Sequence, residues 1–245
     1  MYERMFGVDV TTESSDDTIR RIFSRHQNDE KSFIVAINPE KLMKSRKDPE
    51  LREILNKATI GIPDGIGVLL ASRLRGGNIR ARITGVDMME LLCKEAGIQS
   101  VPVFLYGAKP GVAAKAAHNL QAQFPNLQVA GTLDGYVKDE EEIITTINNS
   151  GAKILFVALG SPTQENFIIR NMDKLNVSVF QGVGGSFDVF SGNIERAPVA
   201  FRRLGLEWFY RLLKEPSRWK RQLELPKFLL AILTDRKNSG GSSYE

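Results

Sequence analysis

Ile154-Leu155-Phe156-Val157-Ala158-Leu159 is an unbroken apolar run of six residues, short for a helix and without polar alternation. A strand with one wet face alternates, whereas a strand covered on both faces does not. The run therefore predicts a central strand of a parallel sheet. Similar runs recur at Phe33–Ile37, Ile60–Pro63, Val101–Tyr106, Leu127–Ala130 and Val177–Gly182. Between them Val86–Ala96, Val112–Phe124, Glu140–Asn148 and Gln164–Leu175 carry apolar residues at helical spacing. Strands alternating with helices of this length predict an α/β fold, a parallel sheet with helices on both faces.

The alternation stops near Gly192. Beyond it Ala197–Leu213 and Ser217–Thr234 read as two helical segments rich in Arg, Trp and Leu, interrupted by Pro216 and Pro226. The expected organisation is a body over 1–192 and a helical appendage over 193–245. Charge follows the same division. The chain carries a net +4. From Arg196 onward there are eleven Lys or Arg against five Asp or Glu, a net +6, which leaves −2 on the preceding 195 residues. A basic appendage on a mildly acidic body suggests an anionic partner at that end. A net charge this small does not call for nucleic acid.

The 245 residues are 42% hydrophobic and 25% charged, which suits one sizeable globular domain and excludes disordered, collagenous and disulfide-scaffold classes. No stretch approaches the roughly 20 apolar residues of a membrane span. Met1–Thr11 holds acidic residues and no long apolar run, so no secretory signal is expected. Cys93 is the single cysteine and permits no internal disulfide. A reducing, cytoplasmic setting is the expectation.

In an open parallel sheet, ligands bind beyond the carboxyl ends of the strands. Those ends carry Asn38-Pro39-Glu40, Asp64-Gly65, Gly107, Thr132–Tyr136, Gly160–Gln164 and Gly184-Gly185-Ser186-Phe187-Asp188. Glycines there let backbone approach a phosphate, so the ligand is expected to carry one. Gly65-Ile66-Gly67 lacks the third glycine of a dinucleotide fingerprint, and no P-loop is present. His26 and His118 sit in charged or Ala-rich helical segments and read as surface residues, while Cys93 reads as core. No nucleophile elbow and no diphosphate-metal D-x-D occurs, so neither a metal nor a cofactor is expected. Carboxylates remain as acid–base groups. Asp64 follows a strand and precedes a helix start, where it serves either as a proton acceptor or as an N-cap. Asp87 and Asp188 share that ambiguity. In the appendage Arg211, Lys214, Arg218 and Arg221 fall within roughly 80° of one helical face, suited to phosphate oxygens. Trp208, Phe209, Tyr210, Trp219, Phe228 and Leu229 interleave them, suited either to a membrane surface or to the core.

Taken in order along the chain, these motifs resemble one family. Asn38-Pro39-Glu40, Pro63-Asp64-Gly65-Ile66-Gly67, Arg82-Ile83-Thr84-Gly85-Val86-Asp87 and Gly131–Tyr136 are similar to its first half. Val157–Glu165, Gly182–Asp188, Arg196-Ala197-Pro198, Leu206–Arg211 and Glu215-Pro216 are similar to its second. The family is the WecG/TagA/CpsF glycosyltransferases. The resemblance implies a Rossmann-like, inverting enzyme at the cytoplasmic face of the membrane. It would move an N-acetylmannosamine-type sugar from a UDP-sugar to a sugar-diphospho-undecaprenol, as in wall teichoic acid or exopolysaccharide synthesis. It implies Asp64 as general base, with Asn38 and Arg82 lining the acceptor and diphosphate pocket. Tyr136, Gln164 and Asp188 would hold the nucleotide sugar beside Gly184 and Gly185. Arg211, Arg218 and Arg221 would grip diphosphate without a metal. Expected partners are the UDP-sugar, the polyprenyl-diphosphate acceptor and an anionic membrane surface; the appendage's aromatics also suit a homo-oligomer interface.

The chain departs from the family twice. Ala36 stands where many members have a hydroxyl residue, and Leu133 where a polar residue precedes Asp134-Gly135. Alternatives are therefore another donor, UDP-glucose or an N-acetylmannosaminuronic acid, and a non-catalytic nucleotide-sugar module docked on membrane.

Overall fold

The computed structural model describes residues 1–203, 205–214 and 224–238. An antiparallel hairpin, β1 (Tyr2–Met5) and β2 (Val8–Thr11), opens the chain. Then follow α1 (Ser15–Gln27), β3 (Ser32–Ile37), α2 (Pro39–Ser45), α3 (Pro49–Asn56), β4 (Ile60–Pro63) and α4 (Ile66–Arg75). The middle contains α5 (Gly85–Gln99), β5 (Val103–Gly107), α6 (Val112–Gln123), β6 (Val129–Leu133) and α7 (Glu140–Asn149). After these come β7 (Ile154–Ala158), α8 (Thr163–Asn171), β8 (Val179–Gly182) and α9 (Ser186–Phe190). The C-terminal helices are α10 (Val199–Arg203), α11 (Glu207–Lys214) and α12 (Glu224–Asn238).

Six strands form one sheet in the order β4-β3-β8-β7-β5-β6, every pairing parallel. The period of two explains the apolar runs. In β7, Leu155 and Val157 point into one core with residues of α7, α8 and α12. Ile154, Phe156 and Ala158 point into the other with residues of α1, α5 and α6. Both faces are dry, so a polar residue in these strands would have no water to meet. The expected two-faced α/β sheet is present.

Boundaries moved where local chemistry intervenes. β5 starts at Val103 because Pro102 has no N–H to give the ladder. β6 lies at the sheet edge, half-buried throughout, and includes Gly131 and Thr132 rather than a pure apolar run. The segment Ala197–Leu213, expected as one helix, is two, because Gly205 at φ +73° breaks it. The hairpin was not anticipated, since its strands are four residues each. Phe6 and Gly7, both at positive φ, make its turn.

Packing of α12 rests on a glycine. A side chain at Gly67 would lie 2.5 Å from Leu225 Cδ1 and 2.6 Å from Pro39 Cγ, so α12 can cross α4 and α2 only over hydrogen. Phe228 and Ile232 are fully buried in the core shared with the hairpin, and the Phe228 ring meets Phe6 edge-on at 5.9 Å. Among the described residues no helix is long and apolar enough to cross a membrane.

Candidate active site

Parallel pairing puts all six carboxyl ends on one rim of the sheet, and the quoted polar motifs gather there. Asn38 ends β3 and caps α2, its Oδ1 accepting the Lys41 N–H at 2.9 Å. The Asp64 N–H donates to the Ile37 carbonyl at 2.9 Å, which seats Asp64 beside Asn38. Asp64 is half-buried. It is not the cap of α4: that position belongs to Gly65, with no side-chain cap bond, so the N-cap alternative is set aside. The Ile83 N–H donates to the Pro63 carbonyl at 2.8 Å and brings Arg82 to the same corner. Asn38, Asp64 and Arg82 are thus assembled from three separate segments.

Arg82 is tied to the C-terminal helices. Its Nη1 donates to Glu207 Oε2 at 3.2 Å and its Nη2 to the Arg202 carbonyl. Arg196 completes the cluster: it pairs with Asp87, with Glu90 at 3.1 Å and with the other Glu207 oxygen at 3.8 Å. The Thr84 hydroxyl donates to Asp87 Oδ2 at 2.6 Å while its oxygen accepts the Asp87 N–H, a reciprocal cap on α5. Burial pushes the Asp87 carboxyl up, but the hydrogen bonds from Thr84 and Arg196 outweigh it and hold it below its ordinary value.

The other bank of the rim lies beyond β8, β7, β5 and β6. Gln164, on the first turn of α8, is buried; its Oε1 accepts the Gly184 N–H at 2.9 Å. A Cβ on Gly182 would stand 2.5 Å from Gln164 Nε2, so this seat exists only over glycine. Gly185 is exposed, and Asp188 is half-buried on α9. Tyr136 follows the edge strand, 63% exposed, its N–H on Asp134 Oδ1 at 2.9 Å. The Gly135 N–H bonds to the Ala108 carbonyl at 2.9 Å, which turns this segment back over the end of β5. Asp64 and Tyr136 therefore stand on opposite banks, with the β8 loop between them. Arg218 and Arg221 lie outside the described residues; Arg211 is on α11, with its side chain outside them too.

Four side chains in this rim escaped sequence reasoning. Lys41 Nζ reaches Glu165 Oε1 at 2.8 Å, and Arg196 and Glu207 hold Asp87 and Arg82. Each falls within or beside a quoted motif, but charge type alone does not announce a partner more than a hundred positions away. His118 is exposed and His26 sits beside Ser178, 2.6 Å from its Oγ, while Cys93 is core, its thiol pushed up by burial. Among the described residues no three His, Cys, Asp or Glu side chains gather as a metal site.

A profile of the glycosyl transferase WecG/TagA/CpsF family matches residues 3–241. The chain is 42% identical over 213 residues to an N-acetylglucosaminyldiphosphoundecaprenol N-acetyl-beta-D-mannosaminyltransferase of Bacillus spizizenii strain W23. That alignment covers 87% of this chain and 83% of the relative. It is 41% identical over 216 residues to the protein of the same name in Bacillus subtilis strain 168, covering 87% and 84%. The strand ends, the acid at position 64 and the C-terminal helices all fall inside the matched stretch, and the chain belongs to the WecG/TagA/CpsF family of glycosyl transferases.

Proposed function

We propose that this chain transfers N-acetylmannosamine from a UDP-sugar to N-acetylglucosaminyl-diphospho-undecaprenol, a step of wall teichoic acid or related exopolysaccharide synthesis. The activity named for the two Bacillus relatives carries this reading. The convergence of Asn38, Asp64 and Arg82 at one corner of the rim supports it. Asp64 takes the proton from the acceptor hydroxyl as that oxygen attacks the anomeric carbon. UDP leaves from the opposite side, so displacement is in line and inverts the anomeric configuration.

Tyr136, Gln164, Gly184, Gly185 and Asp188 hold the nucleotide sugar on the far bank. Arg82, Arg211, Arg218 and Arg221 offset the diphosphate charge that grows in the transition state, in place of a metal. Arg82 exchanges its Glu207 partner for phosphate oxygen when the substrate arrives. Residues 193–245 act as the closing segment that excludes water and so limits hydrolysis of the donor. They also dock on anionic lipid at the inner face of the plasma membrane. The exposed Phe209, Leu213, Leu230 and Leu233 on α11 and α12 support that docking.

The test offers purified protein a panel of UDP-sugars with a short-chain GlcNAc-diphospho-lipid, with and without EDTA, and reads products by mass. Product from UDP-N-acetylmannosamine in EDTA is expected. Product only from another UDP-sugar moves the donor assignment, and UDP binding without any transfer favours a non-catalytic module.

A further inference from the structure

We propose that Glu165, held from across the rim by Lys41, is a positioning residue that locks the Gln164 amide onto the Gly184 loop. The inference deepens the reading of Gln164 and Gly184 as donor-binding groups and rests on it. Glu165 Oε1 accepts two hydrogen bonds, from Lys41 Nζ at 2.8 Å and from Gln164 Nε2 at 3.1 Å. The other end of the same amide, Gln164 Oε1, accepts the Gly184 N–H at 2.9 Å. A flipped amide would set N–H against N–H at Gly184 and oxygen against oxygen at Glu165. The carboxylate therefore decides which end of Gln164 faces the glycine loop.

Three strand ends are tied by this chain of bonds. Lys41 stands on α2 after β3, Gln164 and Glu165 on α8 after β7, and Gly184 follows β8, which lies between those two strands. Lys41 also reports to the acceptor bank, but through its backbone N–H on Asn38. Its side chain serves only the donor bank.

A second observation argues against plain packing. Glu165 is fully buried, yet its Oε2 has no hydrogen-bond partner among the described residues. A buried carboxylate with one oxygen unmet is costly, and a position needed only for packing is better filled by an apolar side chain. The cost is intelligible if an acceptor for Gln164 Nε2 is what the site requires.

Two double variants separate the readings, and both remove the ammonium so that no unpaired charge remains. Lys41→Met with Glu165→Gln keeps an acceptor for Gln164 Nε2; Lys41→Met with Glu165→Leu does not. The first is expected to hold donor kcat/KM within about threefold of wild type, and the second to lose about 10- to 100-fold. Acceptor KM stays level in both, because the backbone cap at Asn38 survives. Amide hydrogen exchange at Gly184 is expected to quicken in the leucine variant alone. Thermal melts establish that both are folded. Equal donor kcat/KM in the two folded variants, or equal exchange at Gly184, overturns the proposal. If wild type transfers no sugar from any donor, the transfer reading fails, and the exchange arm still decides whether Glu165 orients Gln164.

Discussion

Asp64 follows the buried Pro63 and stays half-buried, its backbone N–H held by the Ile37 carbonyl, so a change confined to the carboxylate tests its chemistry with the backbone seat kept. Asp64→Asn keeps the shape and removes the proposed base. Transfer should fall by about 100-fold or more while UDP affinity, measured by calorimetry, stays near wild type. Turnover close to wild type would take Asp64 out of the mechanism. Asp87 gives a prediction of another kind. Its folded-state carboxyl titrates below the ordinary value, so the charged form stabilises the fold above that value. The contribution disappears as pH drops through the depressed folded-state value. Melting temperature followed from pH 7 downward should fall in the acid range, and Asp87→Asn should flatten that part of the curve. Neither residue's environment was legible in the sequence. Asp64 meets Ile37 and Ile83 meets Pro63 through backbone hydrogen bonds, and Asp87 meets Arg196, all between distant segments, which no local pattern encodes.

At the scale of elements, the regular parts were the readable ones. A strand buried on both faces must be apolar throughout, so β3, β4 and β7 stood out, and β4 ends at Pro63 as read. The edge strand β6 has one side less covered, carries Gly131 and Thr132, and was displaced by the nearby core residue Leu127. The hairpin escaped because four-residue strands give too few alternations to distinguish from a loop. In α12 the buried Phe228, Ala231 and Ile232 follow helical spacing, yet the same aromatics were equally readable as a membrane face. The packing buries one face of the helix and leaves Leu230 at 65% and Leu233 at 46% exposure on the outside. Phe228→Ala should cost about 3–5 kcal/mol in urea unfolding, since it empties a seat shared by the hairpin and the sheet core. A loss below about 1 kcal/mol would mean that α12 contributes little to the body.

For the molecule as a whole, positive charge and apolar exposure are concentrated at the C-terminal end, while the strand-end motifs lie along one rim. Leu230→Ser with Leu233→Ser touches neither the core nor the rim. It should leave the melting temperature almost unchanged and reduce co-sedimentation with vesicles containing anionic lipid. Unchanged co-sedimentation would move the membrane contact elsewhere. The order of the motifs along the chain identified the family-like architecture well, because the motifs at Asn38, Asp64, Gly131–Tyr136, Val157–Glu165 and Gly182–Asp188 each close one strand of a single parallel sheet. What linear order did not reveal is how the two ends of the chain cooperate, and Glu207 shows this most clearly. Its carboxylate pairs with the guanidinium of Arg82 and leans on Arg196 as well. It stands where the proposed reaction places a phosphate against Arg82, as a built-in surrogate. Under that proposal the protein carries, in Glu207, the outline of an inhibitor. A small molecule presenting a carboxylate to Arg82 and Arg196 would imitate a piece of the protein rather than a piece of the substrate.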